Sequence, residues 1–133
     1  MVTLSKIIDG LEMVDDIVDC YYNSEKDEIF LSNIGEVENL SEDELDELFA
    51  ESIILPTQYE INEYRIMEDF IETIENNEIK DNLLGLMQGK GAFRRFKDYC
   101  FDVNIIQDWY KFKEERYKQI AISWCKQNEL EYM

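Results

Sequence analysis

Residues 16–31 read Asp-Ile-Val-Asp-Cys-Tyr-Tyr-Asn-Ser-Glu-Lys-Asp-Glu-Ile-Phe-Leu, and this stretch decides the class of the fold. Ile17 to Tyr22 are rich in β-branched and aromatic side chains, which suit a pleated, half-buried strand. Asn23 to Asp27 form a polar turn, and Glu28-Ile29-Phe30-Leu31 returns as a second strand. The pair predicts a hairpin with a longer loop. Ser52-Ile53-Ile54-Leu55-Pro56 offers a third extended segment, which Pro56 ends or confines to a sheet edge.

Helices surround these strands. Leu4, Ile7, Ile8 and Leu11 recur at helical spacing and predict a helix over 3–14. Ser41-Glu42-Asp43-Glu44 is a capping box opening a short acidic helix to about Glu51. Beyond residue 60 the chain reads as four helices, over 60–76, 79–88, 92–101 and from about 108 onward. Gly89-Lys90-Gly91 separates the middle pair, because glycine accepts the left-handed conformation at a helix end. The expectation is therefore α+β: an N-terminal helix and small antiparallel sheet, then a four-helix C-terminal half that supplies most of the core. At 133 residues the chain is expected to be one globular domain, with an acidic helix-and-hairpin part over 1–60 and a helical part over 61–133.

Charge is distributed unevenly. The formal net charge is −18, and residues 1–60 hold 17 acids against only Lys6 and Lys26. Residues 61–133 hold 14 acids against 11 bases, so the acidic surface belongs to the first half. Repulsion from phosphates argues against direct nucleic-acid binding. Aromatic residues make up 13%, which separates the chain from a disordered acidic tail. No apolar run is long enough to span a membrane, and the start lacks a signal-peptide pattern. Cys20, Cys100 and Cys125 are odd in number and outside any CxxC spacing, so reduced, buried thiols in the cytoplasm are expected.

Catalytic chemistry finds little to use. The chain has no histidine, the commonest general base and metal ligand. The acids alternate around helix surfaces and match no calcium loop, so no metal site, cofactor or catalytic residue is expected. The anomaly is Gly89-Lys90-Gly91-Ala92-Phe93-Arg94-Arg95-Phe96-Lys97-Asp98, a basic stretch in an acidic protein. Glycines, helix-start amides and adjacent cations are the ingredients of an anion site. Neither the phosphate loop nor the dinucleotide fingerprint is present, however. Arg94 and Asp98 lie at i,i+4, so the same stretch also reads as a helix that forms its own ion pairs.

Two signatures carry a family resemblance. Leu55-Pro56-Thr57-Gln58-Tyr59-Glu60-Ile61-Asn62-Glu63-Tyr64-Arg65-Ile66-Met67-Glu68-Asp69-Phe70 is one, and residues 89–98 are the other. Together with Trp109-Tyr110 and Ala121-Ile122-Ser123-Trp124, they resemble uncharacterised protein family 0158, a group of small bacterial proteins. The resemblance covers about residues 53–130 and implies a bacterial, soluble, cytoplasmic protein. It carries over no activity. It directs attention to Tyr64, Arg65, Glu68, Asp69, Gly89, Gly91, Arg94, Arg95, Trp109 and Tyr110 as signature positions; Tyr64, Arg65, Glu68, Asp69, Arg94, Arg95 and Tyr110, with Lys90 of the basic stretch, are the candidate ligand-binding positions. Helices packed antiparallel would bring Glu68 and Asp69 to Arg94 and Arg95 across a cleft.

The leading expectation is a non-enzymatic binding or regulatory protein that recognises a macromolecular partner, a protein being one candidate, through an acidic face or cleft. The alternatives are a module or enzyme that holds an anionic small molecule at Gly89–Arg95, and a nucleic-acid mimic.

Overall fold

The computed structural model describes all of residues 1–133, and the fold is α+β. Helix α1 (Leu4–Met13) leads into strand β1 (Cys20–Asn23) and its partner β2 (Glu28–Leu31). Helices α2 (Ile34–Glu38) and α3 (Glu42–Ala50) precede β3 (Ser52–Ile54). A single turn, α4 (Gln58–Ile61), leads to α5 (Glu63–Glu72), α6 (Asn77–Leu86), α7 (Ala92–Asp102) and α8 (Ile106–Gln127). Packing gathers the chain into two compact units. One comprises Met1–Ile61 with Tyr117–Met133, and the other is Asn62–Arg116.

In the first unit the sheet has the order β2-β1-β3, with both pairings antiparallel. Strand alternation assigns β1 side chains to opposite faces. Tyr21 stacks on Phe30 with centroids 5.5 Å apart and meets Phe49 of α3 edge-on at 4.9 Å. Tyr22 points the other way and meets Trp124 of α8 edge-on at 6.0 Å. On that second face the Cys20 thiol donates to the Gly10 carbonyl of α1 at 3.2 Å. Helices therefore cover both faces. The Trp124 indole also donates to the Ile54 carbonyl of edge strand β3 at 2.8 Å. The chain ends meet here: Val2 N donates to the Glu131 carbonyl at 2.7 Å, and Met133 N to the Val2 carbonyl at 3.0 Å.

In the second unit an aromatic cluster forms the centre. Phe70 of α5, Phe96 of α7 and Trp109 of α8 lie with centroids 5.0–6.2 Å apart. Ile66, Met67, Ile71 and Leu83 are buried around them. Most buried apolar side chains of the protein come from residue 61 onward, as the periodicity predicts.

Several element boundaries differ from the sequence expectation, each for a local reason. The first strand starts at Cys20 rather than near 16, because Asp15 Oδ1 accepts from Ile17 N and Val18 N and turns the chain. Ile17 is consequently exposed. The helix expected over 60–76 is interrupted at Asn62. This residue is left-handed (φ 51°), and its side chain accepts from Arg65 N to cap α5. Asn76 caps α6 in the same way through Ile79 N. Helix α2 was not expected; it is only five residues long and ends on left-handed Asn39. The capping box forms as read, with Ser41 Oγ accepting from Glu44 N at 3.2 Å and donating to Glu44 Oε1 at 3.0 Å.

Candidate functional site

The basic segment is locked into its own helix junction. Gly89 and Gly91 both have positive φ (78° and 80°), which lets the chain reverse between α6 and α7. The last carbonyls of α6 would otherwise lack partners. Arg95 supplies donors: Nη2 donates to the carbonyls of Leu86, at 3.2 Å, and Gln88, and Nη1 donates to that of Lys90. Tyr64 Oη adds a fourth bond, donating to the Met87 carbonyl at 2.6 Å. A cation at a helix C-terminus also complements the helix dipole. Tyr64 packs edge-on against Phe93 with centroids 6.4 Å apart.

The charges of the two signatures are satisfied separately. Asp69 pairs with Arg65 at 3.3 Å and with Arg116 at 2.9 Å. Arg94 is well exposed and pairs with Asp98 at 3.8 Å, within its own helix. No ion pair joins Arg94 or Arg95 to Glu68 or Asp69, so the cross-cleft network anticipated from the sequence does not form. The physical reason is that i,i+4 partners and open carbonyls lie closer to hand than acids on another helix. Glu68, Lys90 and Tyr110 are exposed. The least exposed ion pair in the unit is Lys113–Glu63 at 3.3 Å, with side chains 13% and 25% exposed, and the sequence reading passed over it.

Each thiol is buried and free, and burial pushes its ionisation upward: Cys20 to about 11 and Cys100 to about 12, with Cys125 raised as well. A thiol in that condition is a poor nucleophile at neutral pH.

In the first unit, Asp27 is a polar hub that the sequence reading also missed. It sits left-handed (φ 51°) in the hairpin turn. Its carboxylate accepts from Tyr22 Oη at 2.7 Å, Thr3 Oγ1 at 2.8 Å and Lys6 Nζ at 3.2 Å. The Tyr22 and Thr3 hydroxyls hold its carboxyl well below the usual carboxylate range, and burial with the neighbouring carboxylate pushes the Tyr22 hydroxyl up. The hub ties the start of α1 to the hairpin.

The most strongly charged concavity lies where α2 and α3 meet the sheet. A groove of about 380 Å³ is bordered by Glu25, Glu38, Glu44, Glu47 and Glu51, with Lys26 its only cation. A smaller hollow of about 150 Å³ shares Asn23, Lys26, Glu38 and Leu48 with it and adds Glu28. Leu40 and Leu48 give the groove an apolar floor. The acids follow from sequence: Glu42, Asp43, Glu44, Asp46 and Glu47 of α3 are all exposed, and the helix buries no side chain fully. No group of three or more acids or thiols is placed to hold a metal ion. No helix is long and apolar enough to cross a membrane.

The fold and its surface thus define an acidic α+β protein with a basic helix junction closed on itself. The chain belongs to the uncharacterised protein family UPF0158, whose family model matches residues 1–133 and so extends over the first 50 residues, beyond the two signatures. It is similar to UPF0158 protein PA5073 of Pseudomonas aeruginosa, with 27% identity over 67 residues. That match covers 50% of this chain and 44% of the relative, so it spans less than half of the relative's length. Neither description states an activity. No solved structure matches the chain.

Proposed function

We propose that this chain is a non-enzymatic cytoplasmic binding protein whose acidic groove recognises a partner protein. The observation that carries the reading is the groove itself, with six glutamates, one lysine and an apolar floor across its two hollows. Complementary potential is what steers and orients a charged partner. The chain lacks histidine, and burial pushes the ionisation of its thiols upward, so neither a histidine-activated nucleophile nor a ready thiolate supports an enzymatic reading. The competing reading, an anion site at Gly89–Arg95, loses its central cation because Arg95 is committed to carbonyls of the α6–α7 junction.

A pull-down from a bacterial lysate tests the proposal, using the full chain and a Glu38→Gln/Glu47→Gln/Glu51→Gln variant. A partner captured by the wild type and lost by the variant supports it. If the variant keeps every partner, the acidic groove is not the recognition surface.

A further inference from the structure

The two edges of the sheet are finished differently. Ser32 N donates to the Asp19 carbonyl at 2.8 Å, and Leu55 N to the Cys20 carbonyl at 2.8 Å. Bonding direction alternates along an antiparallel ladder, so Glu28 and Phe30 face β1, while Ile29 and Leu31 turn their N–H and C=O groups outward. On the β3 edge, the outward Ile54 carbonyl is taken by the Trp124 indole, and Pro56 follows two residues later. On the β2 edge, the outward groups of Ile29 and Leu31 bond to nothing in the chain. Exposed edges are usually blunted by proline, lysine or a bulge. Glu28–Leu31 has none of these and pairs with β1 in unbroken register.

The open edge also has a hollow on either face. One, of about 280 Å³, lies beside α1 and is bordered by Gly10, Met13, Ile29 and Leu31. The other, of about 150 Å³, lies toward α2 and α3 and is bordered by Ile34 and Leu48. Glu28, Ile29 and Phe30 border both. A strand added to β2 would send its side chains alternately into the two. Four unpaired main-chain groups, with space on both sides for alternating side chains, specify an extended backbone as the ligand.

We propose that β2 receives an extended segment of a partner protein as a fourth, antiparallel strand, with apolar residues toward α1 and a lysine or arginine beside Glu28. Asp9 and Glu28 stand exposed at the rim of the larger hollow and pair with no base, because Lys6 is taken by Asp27 at 3.2 Å. A second copy of this chain would bring another charge of −18, with only Lys6 and Lys26 in its first 60 residues to answer Glu28. A partner segment carrying a base meets no such repulsion. The Ile29 side chain points toward α1, where a Cβ on Gly10 would lie 3.2 Å from it. In antiparallel pairing, the added residues that exchange main-chain bonds with Ile29 and Leu31 therefore also point toward α1. The site shares its smaller hollow with the acidic groove, but Glu47 and Glu51 border neither of its hollows, and it stands without the groove reading.

The test is fluorescence anisotropy with the full chain and the labelled peptide Lys-Val-Thr-Val-Thr-Val-Lys, beside two N-methylated forms of equal charge. Methylating the valine amides removes the donors that face β2 and should weaken binding about tenfold or more. Methylating the threonine amides, which face away from the sheet, should leave binding nearly unchanged. Glu28→Lys should weaken the unmodified peptide severalfold, and raised salt should weaken it too. Equal binding by the two methylated forms, binding indifferent to Glu28→Lys, or no binding of the unmodified peptide at low salt overturns the proposal. If Glu47→Gln/Glu51→Gln abolishes binding while methylation has no effect, the peptide sits in the acidic groove; the edge site is then overturned and the groove reading stands. Sedimentation that finds a dimer dissolved by the unmodified peptide places a second copy on β2 and overturns the choice of occupant. The methylated pair needs only wild-type protein, so the outcome does not depend on whether a variant folds.

Discussion

Arg95 Nη2 donates to the Leu86 carbonyl at 3.2 Å, nine residues back along the chain and on the preceding helix. With its bonds to the Gln88 and Lys90 carbonyls, the guanidinium adds a side-chain cap to the C-terminal end of α6, where Met87 N already bonds the Leu84 carbonyl. Arg94, its neighbour in sequence, points to solvent.

The two adjacent arginines should therefore separate cleanly in a stability measurement. Arg95→Ala should cost about 1–3 kcal/mol, because charged donors to several carbonyls are lost together. Arg95→Lys should recover little of that, since a point charge cannot fork across three acceptors. Arg94→Ala should stay within about 0.5 kcal/mol, as expected for an exposed ion pair. Urea midpoints of the three variants check this, and equal losses at 94 and 95 would contradict the capping role.

The glycines of α6 and its junction make a second pair. Gly91 has φ 80°, and a Cβ there would lie 3.0 Å from Arg95 Nη1, so Gly91→Ala should destabilise by about 1–2 kcal/mol. Gly85 lies inside α6 with nothing within 4 Å of an added Cβ. Gly85→Ala should stabilise by roughly 0.5–1 kcal/mol through helix propensity alone. Thermal melts should move in opposite directions.

Asp27 sets a pH dependence of defined sign. Its folded-state ionisation lies below the unfolded value of about 3.9, so its contribution is complete above that pH and is lost as pH falls through the folded value. Asn tolerates the left-handed backbone at this position, so Asp27→Asn isolates the charge. The variant should be about 1–2 kcal/mol less stable at neutral pH, and the gap should narrow as pH drops below about 4. A gap that is constant down to acid pH would show that the carboxylate charge contributes nothing.

Much of this architecture was legible in the chain itself. The hairpin, the Ser41–Glu44 box and the glycine break at 89–91 all rest on interactions within a few residues or on simple periodicity. Helix α2 and the Asp15 turn escaped because short elements have no period to read and small polar side chains compete locally with the backbone. The site was less legible. Tyr64 and Arg95 stood out as residues, yet their roles are set by where the end of α6 lies.

Composition alone determined that the first 60 residues present an acidic surface and that histidine chemistry is absent, since neither depends on folding. Tertiary structure decided which charges stay available. Opposite charges far apart in sequence are free to pair or not, and only their final distances settle it. Here the obvious cation, Arg95, is bound to backbone carbonyls, and Asp27, one acid among many in the sequence, is held by the Tyr22 and Thr3 hydroxyls.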